Sequence, residues 1–264
     1  MSSNYLPIAI KNTGMSLEDI VPHLPKEEPK LQYYTYTCTL FRRLAAGELL
    51  ITDNPKPFYK QLCHSANAFI YFLERAPEEE QAVSLALPFF DAIACGYEEG
   101  ARRIAELSTN KLNPRKEYEE EFLYTRILME HFYLQTDPKK IEERLEEFSG
   151  YSDDNYDPHY ALCQALLDKD QDAFDEALKE CIQKRLDDIE KIDADSMDPH
   201  VSAEAATTAH VSTEVLAWLI LAERQGLTTS EEVSLAPSTA RLLRLAELPQ
   251  KEEWKVVARY RSLT

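Results

Sequence analysis

The sequence predicts an all-α fold, a multi-helix bundle of antiparallel αα-hairpins with a loosely repeat-like character. Three observations predict it. Apolar residues recur at spacings of three and four along most of the 264 residues, as they do on the buried stripe of a helix. Only six glycines are present, and β-branched runs joined by Asn-Gly or Asp-Gly turns are missing. Hydrophobic residues make up 44% of the chain, which at this length is enough to bury a core.

Residues 1–30 carry Pro7, Pro22, Pro25 and Pro29 with little periodicity, which predicts an irregular arm holding at most a short helical turn after Ser16. The remainder, 31–264, is expected to form a single all-helical domain. Tyr33, Tyr34, Tyr36, Leu40, Phe41 and Leu44 predict a first long helix over 31–46, stopped by Gly47. Pro57 then sits where a first-turn proline is tolerated, and Tyr59, Leu62, Ala66, Phe69, Ile70 and Leu73 continue at helical spacing. Glu78, Glu79 and Glu80 follow Pro77 where carboxylates favour the positive end of a helix dipole. The apolar stretch 83–95 is expected to be a buried helix kinked or divided by Pro88, and 97–107 a short return helix.

Further along, Phe122, Leu123, Met129 and Phe132 predict a core helix over 118–134, and Asp137 with Pro138 caps another that Gly150 ends. The clearest pattern in the chain is 159–192. It reads as two helices joined by a polar turn, with Phe174, Leu178, Ile182, Leu186, Ile189 and Ile192 on one stripe and Asp168 or Asp170 as the cap between them. Ala92, Ile93 and Ala94 align loosely with Ala165, Leu166 and Leu167, a hint of helix-pair repetition. The polar stretch 193–210 predicts a long connection with a helical turn near Ala203, followed by a buried helix over 211–225 and a last helix over 238–247.

Charge is the loudest signal. Between Glu117 and Asp198 there are 25 acids against 9 bases, a net of −16 out of −18 for the whole chain. A field concentrated in this way repels nucleic acid and anionic membranes and speeds encounter with a basic partner. The plain alternative is a surface that merely keeps the chain soluble; the localisation of the charge favours a partner. The densest carboxylates, Glu142, Glu143, Glu146, Glu147, Asp153, Asp154 and Asp157, are the candidate partner-binding residues.

No signature of chemistry accompanies them. The sequence has no His-Glu-x-x-His or Glu-x-x-His pair, no phosphate cradle and no nucleophile elbow. Cys63 and His64 are adjacent, but side chains one residue apart on a helix diverge. The five cysteines lack Cys-x-x-Cys spacing. No catalytic residue, metal or cofactor is therefore expected. Basic residues do not interleave with aromatics, so direct nucleic-acid binding is not expected. No secretory segment follows Met1, and the longest apolar run, 215–222, is too short to span a bilayer, so a cytoplasmic protein without membrane contact is expected. Self-association is left open.

Four stretches together resemble the Imm49 family of bacterial immunity proteins: FFDAIACGYEEGARRIAEL from Phe89, EEEFLYTRILMEHFYL from Glu119, the hairpin ALLDKDQDAFDEALKECIQKR, and VSTEVLAWLILAERQGL from Val211 with SLAPSTARLL after it. The resemblance implies an all-helical, non-enzymatic protein of polymorphic-toxin or type VI secretion systems. Such a protein binds one cognate toxin, often a nuclease, and blocks its active site or substrate path. Joined to the charge, it implies a toxin with a basic surface. A helical-repeat adaptor that holds a peptide or protein in a concave groove is the alternative.

Overall fold

The computed structural model describes residues 5–152, 157–192, 196, 198–241, 248–258 and 260. Among these it contains eleven α-helices, four short 3-10 turns and no strand, so the fold is all-α. The chain begins with a helix where an irregular arm is expected. α1 spans Leu6–Ile20 and buries Leu6, Ala9, Thr13, Gly14 and Leu17, a stripe at spacings of three and four. Pro7 lies in its first turn, where no backbone N–H is required, and the other prolines fall beyond its last residue.

α2 (Leu31–Thr52) and α3 (Pro55–Leu73) form a tight antiparallel hairpin. Gly47 does not stop α2. It lies inside the helix because α1 crosses there, and a Cβ at Gly47 would stand 2.6 Å from Ile10 Cγ1. The turn comes at Asp53, in the left-handed conformation at φ 51°, and Asn54 caps α3 by accepting from the Lys56 amide. α3 is the centre of the molecule. It is buried continuously from Leu62 to Leu73, with α2, α4 (Pro88–Ala94), α5 (Glu98–Leu107) and the two C-terminal 3-10 turns packed around it. The hairpin that is clearest in sequence lies to one side.

Glu78, Glu79 and Glu80 form a lone 3-10 turn rather than a helix start, and 81–87 run without helix before Pro88 opens α4. Pro88 is thus the first residue of a helix and not a kink within one. α6 (Glu119–Phe132), α7 (Pro138–Ser152), α8 (Pro158–Asp168) and α9 (Gln171–Glu190) follow, each packed on the next, with α8 also on α6. α7 runs through Gly150. Asp170, not Asp168, caps α9 by accepting from the Ala173 amide. α10 (Pro199–Ala206) is longer than the single turn expected, and α11 (Thr213–Arg224) ends before Gly226 at φ 88°. Of the last helix expected, Ser238–Arg241 is a 3-10 turn and 242–247 lie outside the described residues.

The packing departs from simple repetition. α1 lies on α10 and α11 on α4, pairings between elements far apart in sequence, whereas each unit of a solenoid meets only its neighbours. One contiguous core runs from Leu17 to Trp254 and contains Phe58, Phe89, Phe148, Phe174 and Trp218. Two polar knots cross it. Asp91 accepts from Arg42 Nε (2.8 Å), Ser65 Oγ (2.5 Å) and Thr213 Oγ1 (2.8 Å), which ties α2, α3 and α11 to α4. Trp218 Nε1 donates to the Tyr124 hydroxyl (2.6 Å), which donates to Glu214 (2.9 Å), joining α11 to α6.

Candidate functional site

α7 presents the candidate carboxylates. Ile141, Leu145 and Phe148 turn inward at spacings of four and three, so Glu142, Glu143, Glu146 and Glu147 project outward and are exposed. Asp137 caps the helix by accepting from the Lys139 amide at 3.1 Å. Glu130 fastens the helix to its neighbour. Buried on α6, it accepts from Arg126 Nε at 2.8 Å and from Arg144 Nε of α7 at 2.9 Å, so the ridge stands on a fixed base.

The ridge is unfavourable for the helix that carries it. Glu142 with Glu146, and Glu143 with Glu147, are like charges four residues apart, each pair destabilising an isolated helix by roughly 0.2–0.5 kcal/mol. The dipole is opposed as well, because Lys139 and Lys140 occupy the first turn and Glu146 and Glu147 lie towards the other end. Among the described residues no lysine or arginine pairs with the four glutamates. They do not serve to hold the fold together.

Other carboxylates of the acidic stretch do. Glu117 is buried and accepts from the amides of Ser84 (2.8 Å) and Asn113 (3.0 Å). Asp157 stands apart from the ridge in kind. It is half-buried and caps α8 through the His159 amide (3.1 Å), with His159 Nδ1 at 2.8 Å and Lys184 Nζ at 3.3 Å. Burial would raise its pKa, but the hydrogen bonds from His159 and the nearby Lys184 outweigh it and hold the carboxyl well below the usual range. Asp153 and Asp154 lie outside the described residues.

The structure adds neighbours that the sequence pattern did not single out. Glu119, Glu120 and Glu121 open α6 beside the end of α7. Hydrogen bonding to Glu119, with Glu147 and Glu120 also close, pushes the Tyr151 phenol up to about 12. Burial and then Glu120, Glu117 and Asp157 raise the Glu121 carboxyl. Tyr118, 72% exposed, and Tyr151, 41% exposed, are among the large hydrophobic side chains left exposed. Aromatic residues beside a charged ridge are what partner-binding surfaces favour; only their burial state, invisible to periodicity, reveals them.

Among the described residues no group of three or more His, Cys, Asp or Glu is placed to hold a metal ion. All five cysteines are buried and form no disulfide, and burial pushes the Cys38 thiol up to about 12. Among the described residues no helix is long and apolar enough to cross a membrane.

The profile of the family described as Immunity protein 49 covers residues 59–240. No curated protein and no solved structure matches significantly. The matched segment takes in α4 to α11, the acidic ridge included, and spans well over half of the 264 residues. On that extent the chain belongs to the Imm49 family of immunity proteins, a family of toxin-neutralising function.

Proposed function

We propose that this protein neutralises a toxin with a basic, phosphate-binding surface, of nuclease type, by laying the α7 ridge and the first turn of α6 across its active site or substrate path. The observation that supports this reading is the ridge itself. Four exposed glutamates are kept together against the preferences of their own helix, on a base fixed by Glu130, with Tyr118 and Tyr151 exposed close by. Negative potential on that face speeds capture of a cationic groove, and the tyrosines supply contact area that charge alone lacks. A groove built for phosphate is where such a face gains most. The encounter takes place in the cytoplasm, where the toxin meets nucleic acid.

Co-expression with the open reading frame adjacent to its gene tests the reading. Cells should survive expression of that frame only with this protein present. The two products should co-purify, and the freed partner should degrade nucleic acid. Survival without complex formation, or a partner with an acidic surface and no action on nucleic acid, contradicts it.

A further inference from the structure

Two of the five cysteines meet. Cys63 lies on the buried length of α3, and Cys95 follows the last residue of α4. Their sulfurs stand 3.4 Å apart, in direct contact, although the residues are 32 positions apart in the chain. Cys38 directs its sulfur instead to the Ser65 carbonyl at 3.4 Å. Polar contacts on either side of Cys95 hold the pair in register. Ser65 Oγ of α3 donates to Asp91 at 2.5 Å, and the Tyr97 hydroxyl donates to Asn67 Oδ1 of α3 at 3.2 Å.

A disulfide sets its sulfurs about 2.05 Å apart, so from this contact each thiol has to advance about 0.7 Å. That is on the order of a 25° turn about χ1, inside the roughly 30° that a side chain tolerates around a rotamer. Access is the harder condition. Cys63 is 0% exposed and Cys95 1%, so no oxidant or reductant in solution touches either sulfur once the chain has folded. Burial, and then the neighbouring Cys63, push the Cys95 thiol well above its ordinary value, which leaves almost no thiolate to attack a disulfide. The redox state of the pair is therefore set while the chain is open, and folding keeps it.

We propose that Cys63 and Cys95 join as a disulfide when the chain folds in the presence of an oxidised small-molecule disulfide such as oxidised glutathione, fastening the turn between α4 and α5 to the central helix α3. The thiolate of one cysteine attacks the donor, forming a mixed disulfide and releasing one reduced thiol. The thiolate of the other attacks the protein sulfur of that mixed disulfide, closes the S–S bond and expels the second. The two cysteine sulfurs lose two electrons, the donor disulfide gains them, and the two cysteine protons end on the two released thiols. In a reducing pool the same pair folds as thiols. The bond thus records the conditions under which the chain was made, and neither sulfur belongs to α7.

Cell-free synthesis of the full chain in two buffers, one of reduced and one of oxidised glutathione, tests this. Free thiols are alkylated in denaturant, and peptides are mapped by mass spectrometry without reduction. The oxidised buffer should give three alkylated cysteines and a Cys63–Cys95 peptide as the predominant cross-link, and the reduced buffer five alkylated cysteines. The thermal midpoint of the cross-linked chain should exceed that of the reduced chain by about 5–10 °C, as expected for a loop of this length. Oxidised glutathione added to the folded, reduced chain should leave all five thiols free. Five free thiols from the oxidised synthesis would overturn the proposal, as would predominance of another pair such as Cys163 with Cys181. Equal midpoints would overturn the fastening of the turn to α3, and closure in the folded chain would overturn the sealing of the pair by folding.

Discussion

Asp91 carries its carboxylate fully into the interior, and burial pushes its pKa up while Arg42, Ser65 and Thr213 pull it down. Burial is the largest of these and leaves the pKa raised, while Ser65 and Thr213 donate to the group beside the Arg42 guanidinium that pairs with it. Asp91→Ala leaves Arg42 without its buried partner and should destabilise by about 3–5 kcal/mol in chemical denaturation, the range for breaking a buried pair. The sequence offers no means of singling out Asp91, since one acid inside FFDAIA reads like any interruption of an apolar run. His64 supplies a pH dependence. Its pKa falls from an ordinary 6.5 to about 4 on folding, so between those values the unfolded chain binds a proton that the native state refuses. Stability should therefore fall as pH drops from 6.5 towards 4 and level off below, by up to about 3 kcal/mol for this group. His64→Leu should flatten that part of the curve of denaturant midpoint against pH. A curve equally steep in the variant would assign the dependence to other groups.

At the level of elements, amphipathic helices were legible where the apolar stripe is strong. α3, α5, α6, α9 and α11 begin and end within a few residues of where periodicity places them. α1 was not legible. Its stripe is thinned by Thr13 and Gly14, yet both are buried, with the Tyr260 ring close over Gly14 and Ile10 of α1 close against Gly47 of α2. The same close approach turned Gly47 from an expected stop into a crossing point. Gly47→Val should push Ile10 away and destabilise by about 1–3 kcal/mol despite the better helix propensity of valine. Protease cleavage within α1 should rise in parallel. Unchanged stability and protection would mean that α1 contributes little to the folded core. The apolar run 83–95 failed as a single helix because Pro88 suits a first turn better than an interior.

Over the whole molecule, the described part of the acidic stretch folds largely into consecutive helices, α6 to α9, each packed on the next. Periodicity could not separate its two kinds of carboxylate. Glu117, Glu130, Asp157 and Asp170 are spent on backbone amides and ion pairs within the fold, whereas among the described residues no lysine or arginine pairs with Glu142, Glu143, Glu146 or Glu147 on α7. In the proposed function these four glutamates act on a partner at a distance. Stopped-flow association of the toxin with the Glu142→Lys, Glu143→Lys, Glu146→Lys, Glu147→Lys protein measures it directly, across a series of ionic strengths. The expected rate constant is at least about tenfold below that of the unmodified protein at low salt, with its salt dependence flattened and the folded state intact. Equal rates and equal salt slopes for the two proteins would contradict it.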